Sequence, residues 1–316
     1  MQSLSGQPVT VNYGAPNSVG GSPPVTATCT PVSGSLFPVG TNTVTCTATD
    51  SIHRTSMCTF SVSVTTPPRL VVTHFAAFGD SITWGEDGTT IAGTSVQAMQ
   101  LRNLPRAQLP AAQTYPGALQ ADLATRYLVQ TVTVTNLGQP GEDVTDGGVA
   151  RFSSVVVSSA YDVVLIMEGS NDLRDNVTSG DIIAGLQQMI QTAKARGIRP
   201  FLATVPPMNL HGFRGGAANL VPPLDDQIRS LAMSQNVPLV DVYAALSTDV
   251  ATYIGFDGLH CTPAGYKKMA DTFFASIEQT LEVPPGTMPT SVRLINSSRA
   301  GAVAGRPAAP TSSARK

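Results

Sequence analysis

The sequence predicts an α/β fold, an open parallel sheet covered on both faces by helices, with a small all-β sandwich ahead of it. Three observations carry this. The first 66 residues hold only two charged side chains, Asp50 and Arg54, and alternate β-branched with small residues. From residue 70 onward, short apolar runs alternate with stretches of helical periodicity. The links between them are short, with Pro, Thr and Gly where helices start and stop.

In the N-terminal segment, Thr43–Thr49 and Cys58–Val64 each alternate with period two, and Asp50 to Thr55 reads as the hairpin loop between them. Cys29, Cys46 and Cys58 lie within thirty residues, and Cys261 stands alone downstream. No two cysteines have the close spacing of metal ligands, and only His53 is nearby, so a disulfide is expected rather than a metal site. A disulfide implies export. Cys46 and Cys58 are symmetric about Ile52, which makes them cross-strand neighbours in the hairpin; Cys29 is the alternative partner for Cys58, and one cysteine is left over. Thr65-Thr66-Pro67-Pro68 is a stiff linker. The chain therefore divides into a module at 1–66, a linker at 67–69, a larger domain at 70–283 and a tail at 284–316. The tail has five basic and no acidic residues among Pro, Ala, Ser and Gly, and reads as disordered.

Composition excludes several classes of function. A net charge of −2 with 13% charged residues leaves no basic field for nucleic acid. Hydrophobic content of 42% supports a real core, yet no run of about 18 apolar residues suggests a membrane span. Met-Gln-Ser-Leu-Ser at the start shows no signal-peptide pattern.

In the larger domain the expected strands are Leu70–Phe78, Thr131–Leu137, Val163–Met167, Arg199–Val205 and Pro238–Val242. Asp181 to Arg196 places Ile182, Ile183, Leu186, Met189, Ile190 and Ala193 on one helical face, stopped by Gly197. Pro116 and Pro223 suit first helical turns, and Thr262-Pro263 caps a last helix to about Leu281. Two long irregular segments, Glu86 to Thr114 and Pro206 to Val221, read as walls or lids. Ligands on such sheets bind beyond the carboxyl ends of the strands. Four stretches converge there: Gly79-Asp80-Ser81 after the first strand, Gly141 after the second, Gly169-Ser170-Asn171-Asp172 after the third, and Asp257-Gly258-Leu259-His260 before the last helix.

These residue types suit nucleophilic acyl transfer. A serine hydroxyl needs a base within hydrogen-bond reach, and the base needs a partner that fixes its tautomer. Asp257 and His260 on one loop let a carboxylate reach Nδ1 while Nε2 points at Ser81. The Ser81 amide, the Gly141 amide and the Asn171 side chain supply three donors for a developing oxyanion. Trp84, His211 and Phe213 are candidate substrate-wall residues. Asp80 and Asp172 are expected to brace their loops, and Cys261 to be inert. A glycoside-cleaving carboxylate pair drawn from Glu86, Asp87 and Glu142 is set aside in favour of the serine constellation.

Two resemblances follow from these stretches. The run from Cys29 to Asp50, continued by Cys58–Val64, resembles the hyalin repeat, an immunoglobulin-like extracellular module with its first strand clipped here. That resemblance implies adhesion or spacing, with possible surface or glycan attachment, and no catalytic residue. The four stretches around Ser81, Gly141, Asn171 and His260 resemble, in order, the conserved blocks of the SGNH hydrolases, also called GDSL esterases and lipases. This resemblance spans about residues 70 to 282. It implies a flavodoxin-like three-layer α/β/α fold and hydrolysis of a small-molecule or carbohydrate ester through an acyl-enzyme, with no metal or other cofactor. Cys261 stands where relatives often have proline. The expectation is a secreted or cell-surface serine esterase; a lipase or lysophospholipase of the same fold, and a non-catalytic surface adhesion or glycan-binding protein, are the alternatives.

Overall fold

The fold is that of a computed structural model, which describes residues 1–89 and 107–283. Most of the irregular segment at 86–114, and the tail from Pro284, lie outside the described residues.

The N-terminal module is built from strands β1 (Val9–Thr10), β2 (Thr26–Thr30), β3 (Leu36–Phe37), β4 (Gly40–Thr49) and β5 (Thr55–Val64). These strands pair antiparallel: β1 with β3, and β2-β4-β5 as a three-stranded sheet. Alternation along β4 turns Val44 and Cys46 inward, where they meet Val11, Cys29, Phe37 and Val64. The Asp50 carboxylate holds the hairpin loop by accepting from the amides of Ile52 and Arg54.

The cysteine pairing corrects the sequence expectation. Cys46 does face Cys58 across β4 and β5, but its bond is to Cys29 on the other side, with Cα atoms 4.0 Å apart. Cys58 is a free, exposed thiol on the outer strand β5. The three cysteines stand in one row across the sheet, so sequence symmetry about the hairpin could not say which neighbour of Cys46 bonds to it. The two bonded cysteines are the two that are buried.

The larger domain begins with β6 (Arg69–Leu70), which pairs antiparallel with β12 (Glu282–Val283). The expected strand at Leu70–Phe78 is therefore two strands, broken at Val71–Thr73, because β7 (His74–Gly79) must run parallel between two other strands. Those are β8 (Thr133–Gly138) and β9 (Val163–Met167); β10 (Arg199–Ala203) and β11 (Leu239–Val240) complete a parallel sheet in the order β8-β7-β9-β10-β11. Counted within the sheet this is the 2-1-3-4-5 order of a flavodoxin-like fold, whose ligand site lies at the switch point between β7 and β9. Every residue of β9 is buried, as a strand covered on both faces requires.

The described residues form the helices α1 (Ser81–Trp84), α2 (Tyr115–Arg126), α3 (Gly148–Val155), α4 (Ser170–Arg174), α5 (Ser179–Ala195), α6 (Val221–Gln235), α7 (Val242–Leu246), α8 (Val250–Tyr253) and α9 (Pro263–Leu281). On one side α9 packs on α2 and α7; on the other α5 packs on α3 and α6. The caps follow the sequence: Thr178 accepts from the Asp181 amide and Thr262 from the Gly265 amide. No described helix is long and apolar enough to cross a membrane.

Beneath this frame Asp225 on α6 is buried. Its Oδ1 accepts the Val205 amide at 2.8 Å, and Oδ2 has no hydrogen-bond partner among the described residues. Burial pushes this acid up to about 8. The folded chain thus keeps a proton that the unfolded chain releases near pH 4. Stability from this group is complete below that range and is lost as pH rises through about 8. Asp225→Asn keeps the acceptor and removes the titration, so thermal unfolding should show a larger rise in Tm, relative to wild type, above pH 8 than near pH 4. An equal effect at both would contradict the assignment. The disulfide gives a second expectation. Cys29→Ala with Cys46→Ala opens a loop with a sequence separation of 17 and should cost about 3 kcal/mol in denaturant unfolding, whereas Cys58→Ser should leave the midpoint unchanged.

Candidate active site

The site is assembled where β7, β8 and β9 end in line, with Gly79 opposite Gly138 on one side and Met167 on the other. Gly79 is required by close approach: a Cβ there would fall 2.1 Å from Thr83 Oγ1 and 2.3 Å from the Met167 carbonyl. The chain then turns into α1. Asp80 caps that turn, its Oδ1 accepting from the Ile82 amide at 2.8 Å, and Gly85 closes it at φ +96°. Burial is the main reason that the Asp80 acid is pushed up to about 6. Ser81 is left on the first turn with 3% of its surface exposed, a more enclosed position than a serine on an open rim.

His260 approaches from the loop before α9. Its Nε2 lies 2.8 Å from Ser81 Oγ, and its Nδ1 lies 2.6 Å from Asp257 Oδ2. A carboxylate only accepts, so Nδ1 carries the ring proton and Nε2 accepts from the Ser81 hydroxyl. The other carboxylate oxygen, Asp257 Oδ1, accepts the amides of Leu259 and His260, each at 3.0 Å. Asp257 and His260 are fully buried, so this chain of hydrogen bonds works in a low-dielectric setting where each bond is strengthened.

Gly141 and Asn171 come to the same rim. Gly141 is exposed and adopts φ +76°, with open space where a Cβ would stand. Asn171 Nδ2 donates to the Glu142 carbonyl at 2.9 Å, and its Oδ1 accepts from Arg174 Nη1 at 3.1 Å. These partners orient the amide and leave one N–H to donate elsewhere. Asp172 accepts from the amides of Val144 and Thr145, tying the Gly141 loop to α4.

The remaining candidates separate. Phe213 lines a cavity of about 190 Å³ together with Leu173, Arg174, Arg214 and Leu220. Neither Trp84 nor His211 lines that cavity. Trp84 is half-buried, with its carbonyl accepting from Gln108 Nε2 and Asn136 Nδ2, and His211 is exposed. Cys261 is buried, and burial pushes its thiol well above the ordinary range, so it is no rival nucleophile.

Sequence reasoning missed one neighbour of the base. Glu86 Oε2 lies 3.5 Å from His260 Nε2, and Glu86 Oε1 lies 3.9 Å from Arg214 Nη1. The Glu86 carbonyl is held by the Tyr266 hydroxyl at 2.7 Å from α9. No spacing rule brings residues this far apart together. No cluster of three or more His, Cys, Asp or Glu side chains able to hold a metal occurs among the described residues.

Comparison with known proteins agrees with this architecture. The GDSL-like Lipase/Acylhydrolase family model matches residues 77–268, and the HYR domain model matches residues 7–64. No curated protein matches the chain. Similar solved structures include a lipase/acylhydrolase from Enterococcus faecalis, at 24% identity and TM-score 0.54, covering 66% of this chain and 97% of that one. An inhibitor-bound aryl esterase from M. smegmatis aligns at 21% identity and TM-score 0.51, covering 66% and 98%. The acetylxylan esterase Axe2 from Geobacillus stearothermophilus aligns at 21% identity and TM-score 0.51, covering 66% and 96%. At these identities the likeness speaks for the fold, and the family match speaks for the chemistry. The chain belongs to the GDSL-like lipase/acylhydrolase family and is a carboxylic ester hydrolase with an N-terminal HYR domain.

Proposed function

We propose that the protein is a secreted serine esterase acting through an acyl-enzyme on short-chain or carbohydrate O-acyl esters. The observation that carries the mechanism is the buried chain Asp257–His260–Ser81, with bonds of 2.6 and 2.8 Å. In this reading His260 Nε2 takes the Ser81 proton as Oγ attacks the ester carbonyl. Asp257 stabilises the imidazolium and holds the ring's orientation. The amides of Ser81 and Gly141 and the Asn171 side chain receive the oxyanion, each worth roughly 10²–10³ in rate. The alcohol leaves with the proton from His260. Water then repeats the sequence on the acyl-enzyme, releasing the acid and restoring Ser81.

The substrate class rests on the cavity lined by Phe213 and by Arg174, the residue that bonds the Asn171 side chain. At about 190 Å³, with Arg174 and Arg214 in its lining, it suits a small or polar group better than a long acyl chain. Placement outside the cell is supported by the HYR module and the Cys29–Cys46 disulfide.

Ser81→Ala and His260→Ala should each fold normally and lower kcat on a chromogenic ester by about 10⁶-fold. Turnover near wild type in either folded variant would rule the roles out. A series of chromogenic esters from acetyl to long-chain acyl, run beside an acetylated polysaccharide, should show kcat/KM highest at two to four carbons, about, or on the acetylated sugar. A maximum at long chains would replace this substrate class with a lipid ester.

A further inference from the structure

Arg151, on α3, belongs to none of the roles above, yet its guanidinium bonds the ends of β7 and β8 and approaches the residue that follows β9. Nη2 donates to the Gly79 carbonyl at 3.3 Å, at the end of β7 and two residues before Ser81. Nη1 donates to the Leu137 carbonyl at 2.9 Å, at the end of β8 and shortly before Gly141. Nε donates to Glu142 Oε1 at 2.6 Å, and Nη2 also bonds Glu142 Oε2, a two-pronged pair that a planar guanidinium is shaped for. Nη2 lies 3.9 Å from Glu168 Oε1, which follows β9 and precedes Asn171. The face of the guanidinium rests on the Phe78 ring, 4.0 Å from its centroid.

Glu142 carries this contact into the site. It is the residue after Gly141, and its carbonyl accepts from Asn171 Nδ2. A displacement of the Glu142 side chain therefore moves both the Gly141 amide and the hydrogen bond that orients Asn171. Glu168 completes the unit from the other side. It is buried, and neither carboxyl oxygen accepts a hydrogen bond among the described residues. Burial, with Glu142 beside it, pushes this acid well above the usual carboxylate range. That direction favours the neutral acid beside the Arg151–Glu142 pair, whose charges already balance.

We propose that Arg151, held by Glu142, is a positioning residue that locks the ends of β7 and β8 and the Gly141–Glu142 turn, to which Asn171 is bonded, into the geometry of the oxyanion hole. The proposal rests on the serine-esterase reading and deepens it. Arg151 acts through Gly141 and Asn171, so its loss should appear in kcat and leave substrate binding nearly intact.

The test uses the full chain with Arg151→Lys, Glu142→Gln and Asn171→Ala, singly, and with Arg151→Lys combined with Asn171→Ala. Lysine keeps the charge but cannot bridge two strand ends and the Glu142 carboxylate with one ammonium. Thermal unfolding comes first, then kcat and KM on a short chromogenic ester. Folded Arg151→Lys should lose about 10–10²-fold in kcat, somewhat less than removal of a donor, with KM within about threefold. On the Asn171→Ala background the same change should cost much less than it does alone, because both act on one donor. Unchanged kcat in folded Arg151→Lys, or a loss fully additive with Asn171→Ala, would overturn the proposal. If Arg151→Lys does not fold, Glu142→Gln decides: a kcat loss of about tenfold or more at unchanged KM supports the clamp, and unchanged kcat overturns it. Absence of turnover in wild type, by contrast, counts against the esterase reading itself and is seen before any variant is measured.

Discussion

The hydrogen bond between Ser81 Oγ and His260 Nε2 joins residues 179 apart in the chain, and much of the domain serves to bring them within 2.8 Å. Ser81 is delivered by an inner strand of a parallel sheet, and His260 by the loop that enters the last helix. Both ends of this bond are buried, so an unpaired partner would carry the full cost of desolvation. The fold meets that cost by closing every link. Asp257 takes the other ring nitrogen, and two backbone amides take the remaining oxygen of Asp257. A polar chain this complete is rigid, which is what a proton transfer between fixed atoms needs.

Strand order supplies the second half of the site. Because β7 lies between β8 and β9, three successive βα turns open on one rim. Parallel register then sets their heights, with Gly79 level with Gly138 and Met167. The glycines at these positions are answers to crowding: a side chain at Gly138 would fall 2.1 Å from the Trp84 amide nitrogen. Backbone packing at the strand ends and the placement of the proposed oxyanion donors are thus one constraint. The interactions that fasten those ends to one another, through Asp172 on one side and Arg151 on the other, extend it outward.

Local patterns in the sequence carried the frame. Val163–Met167 is apolar throughout because both of its faces are covered, and its bounds are visible without a structure. The helix expected at Asp181 to Arg196 shows its buried stripe in the same way, whereas its start at Ser179 and its Thr178 cap came from the structure. What local pattern does not carry is direction and pairing. The run from Leu70 to Phe78 reads as one strand, yet its first residues pair antiparallel with the chain's far end at β12 and the rest pair parallel inside the main sheet. The disulfide has the same character. Cys46 has a cysteine opposite it on each side, and only the burial of Cys29 against the exposure of Cys58 separates the two. In the candidate site, Ser81, Gly141, Asn171, Asp257 and His260 could be nominated from sequence because each sits in a short stretch of distinctive type. Glu86, Arg151 and Glu168 were not, since their roles exist only through contacts between distant elements.

The central claim is that Ser81 becomes the covalent acyl carrier. Its most direct test is mass spectrometry of the full chain after exposure to an aryl phosphonate or fluorophosphonate ester, with the adduct mapped by proteolysis. The account predicts a single stoichiometric adduct on Ser81, formed in parallel with loss of esterase turnover. An adduct on another residue, or full inactivation with Ser81 unmodified, would contradict it.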